Sequence, residues 1–441
     1  MTASIADAVK TLGVRSAQLT WSEIPAAVQD RTLLVVFDTL GVMIAGAATP
    51  EIQAFADSHS ETGPAPLVGL DRWGTAVDSC WVNGAAVCSL ELDEGSKYAR
   101  GHPAAHVVPA ALALGDHDGT SWLGAVLAGY EVAARFGRAT RLNSGVHPHG
   151  TWGATGAAAT AARLSGLDKD GVAAAVDAAA GLSLAPHFES ALTGHPVRNL
   201  WVGAANAAGL AAARLAASGF GRIDGTAAGT YGDLLGTFDP DPLNAPLEES
   251  FEIMRGYFKR HAACAYTHAA ADAVLELLAQ GPLPVEEIDS VTVETYRIAA
   301  KLNRTALPTR LAAMFSVPFV VAVTMLEGTF GPTETDESHR SDPVVNDLTG
   351  RVTVVATDEF EDRLPDRRGA RVSVRMKDGS MRSAEVEQPI GDAAHGSFGW
   401  AEVRQKVDGL IGHDRAVELE DSIRRLEEEG VGPLFQAVAR R

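Results

Sequence analysis

The chain has 441 residues, 46% hydrophobic and 21% charged, with a formal net charge of −19 at pH 7. That length predicts two or three domains with enough apolar material to fold without a disulfide framework or a structural metal. Acidity and scattered Lys and Arg exclude the basic face that a nucleic-acid backbone or an anionic membrane would need.

The N-terminus, "MTASIADAVKTLGVR", lacks the basic start, apolar middle and cleavage site of a secretory signal. No stretch reaches about 20 uncharged apolar residues, because Asp38 interrupts "LLVVFDTLGVMIAGAA" and Arg214 interrupts the Ala-rich run after Asn199. Three cysteines, Cys80, Cys88 and Cys264, form no C-x-x-C pair and no zinc-type spacing with histidine. Buried thiols in a reducing cytoplasm are expected. From residue 1 to about 260 the pattern is helical, with Pro25 near one helix start and Gly46 near its end. Segments such as "TWGATGAAATAARLSG" and "GAANAAGLAAARLAASGF" place small residues at helical spacing, which predicts helices buried on most sides with backbones in close approach. Near residue 285 the period becomes two. "EIDSVTVETYR", "GRVTVVATDEF" and "RGARVSVRMKDGS" read as half-buried strands. Between them "PTRLAAMFSVPFVVAVTMLEG" reads as helix, started or kinked at Pro318. The tail from Trp400 returns to helix with i,i+4 charge pairs and is expected to pack back on the first part.

Four polar clusters break the apolar background. "DEGSKYARGHPAAH" holds Asp93, Glu94, Lys97, Arg100, His102 and His106. "GVHPHGT" holds His147 and His149, "TGHPVRN" holds His195 and Arg198, and "FKRHAAC" holds Lys259, Arg260 and His261. A residue before proline avoids the helical region, so each His-Pro marks a turn at a helix entrance. There an imidazole is either an ordinary loop side chain or an acid/base group, and the free N–H groups suit a carboxylate. Histidines move protons near neutral pH and Lys or Arg hold carboxylates, the set needed for proton transfer beside a carboxylate without a cofactor. No H-E-x-x-H, no paired D-x-D, no P-loop, no G-x-G-x-x-G after a strand and no G-x-S-x-G occurs, so no metal and no nucleotide is expected.

In order along the chain, "FDTLGVMIAGA", Asp93-Glu94, "HPAAHVVPAALAL", "LAGYEVAARFG", "GVHPHGTWGATGAAAT", "RNLWVGAANAAG", "FKRHAACAYTHAAADA", "FSVPFVVAVTMLEG" and "DPVVNDLTGRVTVV" resemble the MmgE/PrpD family over nearly the whole length. The resemblance implies a mainly α protein. Residues 1–262 and 392–441 would form a large helical domain from both chain ends, and residues 263–391 an inserted α+β lid. It also implies a homodimer and cofactor-free chemistry on a small di- or tricarboxylate between the domains. By position it implies Asp93, His102, His147 and Lys259 as catalytic. Substrate contacts would come from Lys97, His149, Arg198, Arg260 and His261.

Departures from the family's usual residues are Gly95 and His149 for Thr, Arg198 for Lys and Phe319 for Tyr. Arginine can scarcely donate a proton and phenylalanine cannot, which weighs against decarboxylation. The expected activity is therefore a lyase of the 2-methylcitrate dehydratase kind, ahead of a cis-aconitate decarboxylase. An epimerase of the iminodisuccinate type is the alternative, and a non-catalytic carboxylate binder the second.

Overall fold

The computed structural model describes residues 2–115, 117–247, 249–394 and 396–441. Helices dominate it, so the chain is mainly α. The helix Ala26–Ala47 is buried along almost its whole length and packs against Ala76–Cys88 on one side and Trp400–Ile411 on another. Gly41 permits the second contact, since a Cβ there would lie 2.7 Å from a Val407 methyl. Val403, Val407, Leu434 and Val438 join one apolar core with residues from Ile5 to Phe258, so the two chain ends share a hydrophobic interior.

The Ala-rich segments form the helices Gly153–Leu164, Lys169–Ala180 and Val197–Ala217, which pack on one another. Small residues set their spacing. A Cβ on Gly84, in Ala76–Cys88, would lie 2.6 Å from the Gly203 Cα, and one on Gly203 2.6 Å from the Trp81 carbonyl oxygen. Val197–Ala217 is also long and apolar enough by composition to cross a membrane, although it carries the buried Arg198 and half of it is packed inside the protein.

A second core lies beneath a four-stranded sheet ordered Val352–Ala356, Ile288–Thr295, Ala370–Met376, Met381–Val386. The first pair is parallel and the others antiparallel. All three strands expected from the period-two segments are present. "GRVTVVATDEF" is strand only to Ala356, because Asp358, Glu359 and Glu361 favour the first turn of the short helix Asp358–Glu361. The apolar stretch around Pro318 is two helices, Arg310–Met314 and Val317–Glu327. Ser316 caps the second by accepting from the Phe319 N–H, and Pro318 sits in its first turn where its missing N–H costs nothing. All three cysteines are buried and unpaired.

Candidate active site

The acidic stretch before His102 is irregular backbone. It is held by bridges from Gly95 to Tyr257 and from Ser96 to Gly101. His102 is the residue preceding the helix Pro103–Leu112 and is kept out of the helical region (φ −124°, ψ 81°) by Pro103. Glu94 turns inward beneath that helix. Its carboxyl accepts from the Tyr130 hydroxyl at 2.6 Å and from the Ala104 N–H at 3.3 Å, and burial pushes it up to about 8.

Beside it lies a buried quartet of charges. Lys259 Nζ donates to Glu91 Oε2 at 3.0 Å and Asp93 Oδ1 at 3.2 Å, while Arg198 pairs with the other Glu91 oxygen. Arg198 also donates to the Cys88 carbonyl at 2.9 Å. Two cations and two carboxylates in mutual contact neutralise one another, which is how such charges survive burial. Burial alone would raise the Asp93 carboxyl. The neighbouring His102 Nδ1–H and the positive charges of Lys259 and Arg198 outweigh it and hold the group below the usual carboxylate range. Burial opposes the Lys259 ammonium, yet Asp93 and Glu91 raise it above its ordinary value. Asp93 is thus ionised with its charge held by Lys259, and His102 is left neutral because burial lowers its imidazole despite the carboxylate beside it.

The backbone around the imidazoles assigns their tautomers. His102 Nδ1 lies 2.7 Å from the Glu94 carbonyl oxygen and 3.1 Å from Asp93 Oδ2, both acceptors only, so Nδ1 carries the proton and Nε2 keeps a lone pair. His147 is opposite. Its Nδ1 accepts from the His149 N–H at 3.1 Å, so in the neutral ring the proton sits on Nε2. His149 lies between them, its ring centroid 4.9 Å from that of His102 and 4.7 Å from that of His147, and its buried Nδ1 has no partner among the described residues. Burial, and then the charge of Arg198, hold His147 and His149 well below the usual imidazole range. His106 is already satisfied, with Nδ1 on the His102 carbonyl at 2.8 Å and Nε2 facing the Gly150 N–H at 3.5 Å, and supports the site from behind.

His102, His147, His149 and Arg198 face one pocket together with Glu91, Arg100, Tyr257, Cys264, Tyr266 and Arg368. Asp93 and Lys259 stand behind its wall through His102 and Glu91. Three residues expected at the substrate lie elsewhere. Lys97 donates to the Asp366 carbonyl at 2.8 Å and to Asp392 Oδ1 at 3.1 Å, a buried tie between two loops. Arg260 points outward, its side chain 42% exposed and 3.5 Å from Asp272. His261 turns to the same Asp272 at 3.0 Å. The backbone bends at Arg260 and His261, and both side chains turn to Asp272 while Lys259 turns to Glu91 and Asp93.

Glu91 and Tyr257, two residues from Asp93 and Lys259 beside the same polar clusters, are not singled out by the sequence. Glu91 is marked in the structure by a left-handed φ of 52°. Arg368 comes from the loop before the strand Ala370–Met376 and carries no sequence signal. It is buried, donates to the Lys97 carbonyl at 2.6 Å and has no carboxylate within 4 Å among the described residues. Arg368 therefore offers an unspent cation to an anionic ligand.

Asp93, His102 and His149 each place a ligand-type atom within 4.8 Å of the others. A divalent cation there would face Lys259, 3.2 Å from Asp93, and would need the His102 nitrogen already committed to Glu94 or a substrate-facing one. The charge surplus at this pocket suits an anion better.

Residues 11–245 match the MmgE/PrpD N-terminal domain and residues 261–428 the MmgE/PrpD C-terminal domain. The chain belongs to the MmgE/PrpD family. Among its relatives is a cis-aconitate decarboxylase of Aspergillus terreus, 25% identical over 436 residues that cover 89% of this chain and 88% of that protein. The cis-aconitate decarboxylase-like protein oryM of Aspergillus oryzae is 23% identical, covering 92% of each. Two departures of this MmgE/PrpD chain from the usual residues acquire a physical meaning. A Cβ on Gly95 would lie 2.5 Å from the Tyr257 hydroxyl, so the tyrosine occupies the space a threonine would take there. Phe319 is fully buried in a cluster with Phe330, Val320 and Val323 and does not line the pocket. A hydroxyl lost at that position is therefore no argument against decarboxylation, contrary to the expectation from sequence.

Proposed function

We propose that this MmgE/PrpD protein is a cofactor-independent lyase of a small di- or tricarboxylate. The observation that carries the reading is the opposite tautomers of His102 and His147. Elimination of water beside a carboxylate needs a base for the carbon-bound proton and an acid for the departing hydroxyl. His102 Nε2, its ring oriented by Asp93 and Glu94 through Nδ1, is the base. The His147 Nε2–H hydrogen-bonds the departing hydroxyl, which leaves as water with the proton that His102 has taken. Arg198 and Arg368 bind the carboxylates and offset the negative charge that grows on the substrate as the proton leaves. Dehydration uses both imidazoles, so it ranks first.

Decarboxylation is the second reading, supported by the cis-aconitate decarboxylases among the relatives and by Phe319 lying outside the pocket. There the carbon–carbon electron pair left by CO2 takes a proton from the His147 Nε2–H. The family's lid-and-body domain division and homodimer belong to the same proposal.

Proton NMR in D2O with 2-methylcitrate, citrate, cis-aconitate and iminodisuccinate tests it, with His102→Ala beside the wild type. An alkene product identifies dehydration, and CO2 release with deuterium on the former α-carbon identifies decarboxylation. Deuterium exchange without loss of mass identifies an epimerase. Loss of His102 is expected to lower the dehydration rate by about 10²–10⁴-fold. Turnover unchanged in His102→Ala would sink the dehydratase assignment.

A further inference from the structure

The pocket between the imidazoles is small, about 40 Å³. On the same measure one water needs about 10–15 Å³, and sites for small molecules generally start near 300 Å³. A second cavity of about 330 Å³ abuts the first, and the two share Arg100, Pro148, Phe188 and Tyr266 as walls. Leu142, Trp152, Leu192 and Ile298 make the outer cavity mainly apolar, with Lys301 among its charged residues. Glu189, its acidic residue, is paired with Arg304.

Arg100 stands at the neck between the cavities. Its φ of 57° is left-handed, a conformation that a bulky side chain keeps only when its surroundings impose it. Its guanidinium donates to the Thr140 carbonyl at 3.3 Å and has no carboxylate within 4 Å among the described residues. A cation at the neck, charged groups within and apolar walls without describe a two-part ligand.

We infer that the substrate is a polycarboxylate bearing an apolar substituent of several carbons. Its carboxylate head lies among His102, His147 and Arg368, Arg100 holds a carboxylate at the neck, and the tail fills the outer cavity. The head position rests on the lyase reading above, whereas the tail is argued from the outer walls alone. A substrate as polar and compact as citrate would leave those walls uncovered, and each methylene placed there leaves water.

Calorimetry of the full-length protein with succinate, butylsuccinate and hexylsuccinate tests this, because these probes carry no hydroxyl to eliminate. Affinity is expected to rise about three- to fourfold per methylene. Ile298→Trp, at a position already 36% exposed, and Leu142→Trp each fill the cavity and are expected to flatten the series. Arg100→Gly removes the guanidinium while relieving the backbone, and is expected to weaken every member about tenfold. A Kd that stays constant from succinate to hexylsuccinate overturns the inference, as does a slope that survives both tryptophan variants or a failure of all three to bind. A clear slope with no turnover of a citrate bearing a butyl or hexyl substituent leaves the inference standing and removes the lyase reading instead.

Discussion

His102 shows how one side chain's chemistry is written by its neighbours. A histidine in water titrates near 6.5 and exchanges tautomers freely. Here the Glu94 carbonyl and Asp93 carboxylate claim Nδ1, and burial disfavours the charged ring, so the free lone pair on Nε2 persists at neutral pH. The sign of the pH dependence follows. A base whose pKa is lowered loses activity only when the pH falls below that lowered value. The kcat/KM profile is expected to stay flat from pH 7, where Glu94 is protonated, to below 6.5 and to decline only on further acidification. An acid limb centred at or above 6.5 would contradict a buried, neutral His102. Asp93→Asn, which removes the carboxylate that raises His102, is expected to move the limb to still lower pH.

At the scale of the elements, the site depends on helices that approach through glycine. Val197–Ala217 brings Arg198 to Glu91 from one end, and its Gly203 meets the Trp81 backbone of Ala76–Cys88. Gly203→Ala puts a methyl 2.6 Å from the Trp81 carbonyl oxygen, so the helices must part. Overpacking of this kind costs about 1–3 kcal/mol, offset in part by the better helix propensity of alanine. The urea midpoint is expected to fall and KM for a carboxylate substrate to rise, since Arg198 moves with its helix. An unchanged midpoint would show that the contact is slack. These elements were legible in the sequence because alanine and glycine at helical spacing and the later period of two are local signals. The His-Pro entrances were legible for the same reason. At His102 the helix begins at the next residue, whereas His147 stands six residues before Gly153, in a turn whose end no single residue marks. Lys97 and Arg368 depend on pairings across more than 250 residues, and Arg260 and His261 on Asp272 in the next helix, so none carries a local signature.

For the whole molecule, the tie that matters most runs between its ends. Lys406, in the helix Trp400–Ile411, donates to Asp38 Oδ1 at 2.6 Å and to the Leu92 carbonyl at 2.7 Å, one residue before Asp93. Burial pushes the Asp38 carboxyl up, and the ammonium opposes that. Removing one member of such a buried pair costs about 3–5 kcal/mol. Lys406→Met is expected to lose stability on that scale, and the double variant Asp38→Leu/Lys406→Met to recover part of it. If the single variant unfolds at the wild-type midpoint, the pair does not hold the ends together.

Lys406 follows Asp38 by 368 residues. At about 5–20 residues per second, a ribosome needs about 20–70 s to travel between them. In the course of that interval the emerging chain gains Asp93, His102, His147 and then Lys259, while Asp38 and the Leu92 carbonyl still lack the Lys406 ammonium. A polypeptide stalled shortly before residue 406 would contain every proposed catalytic group and still lack the anchor that seats them.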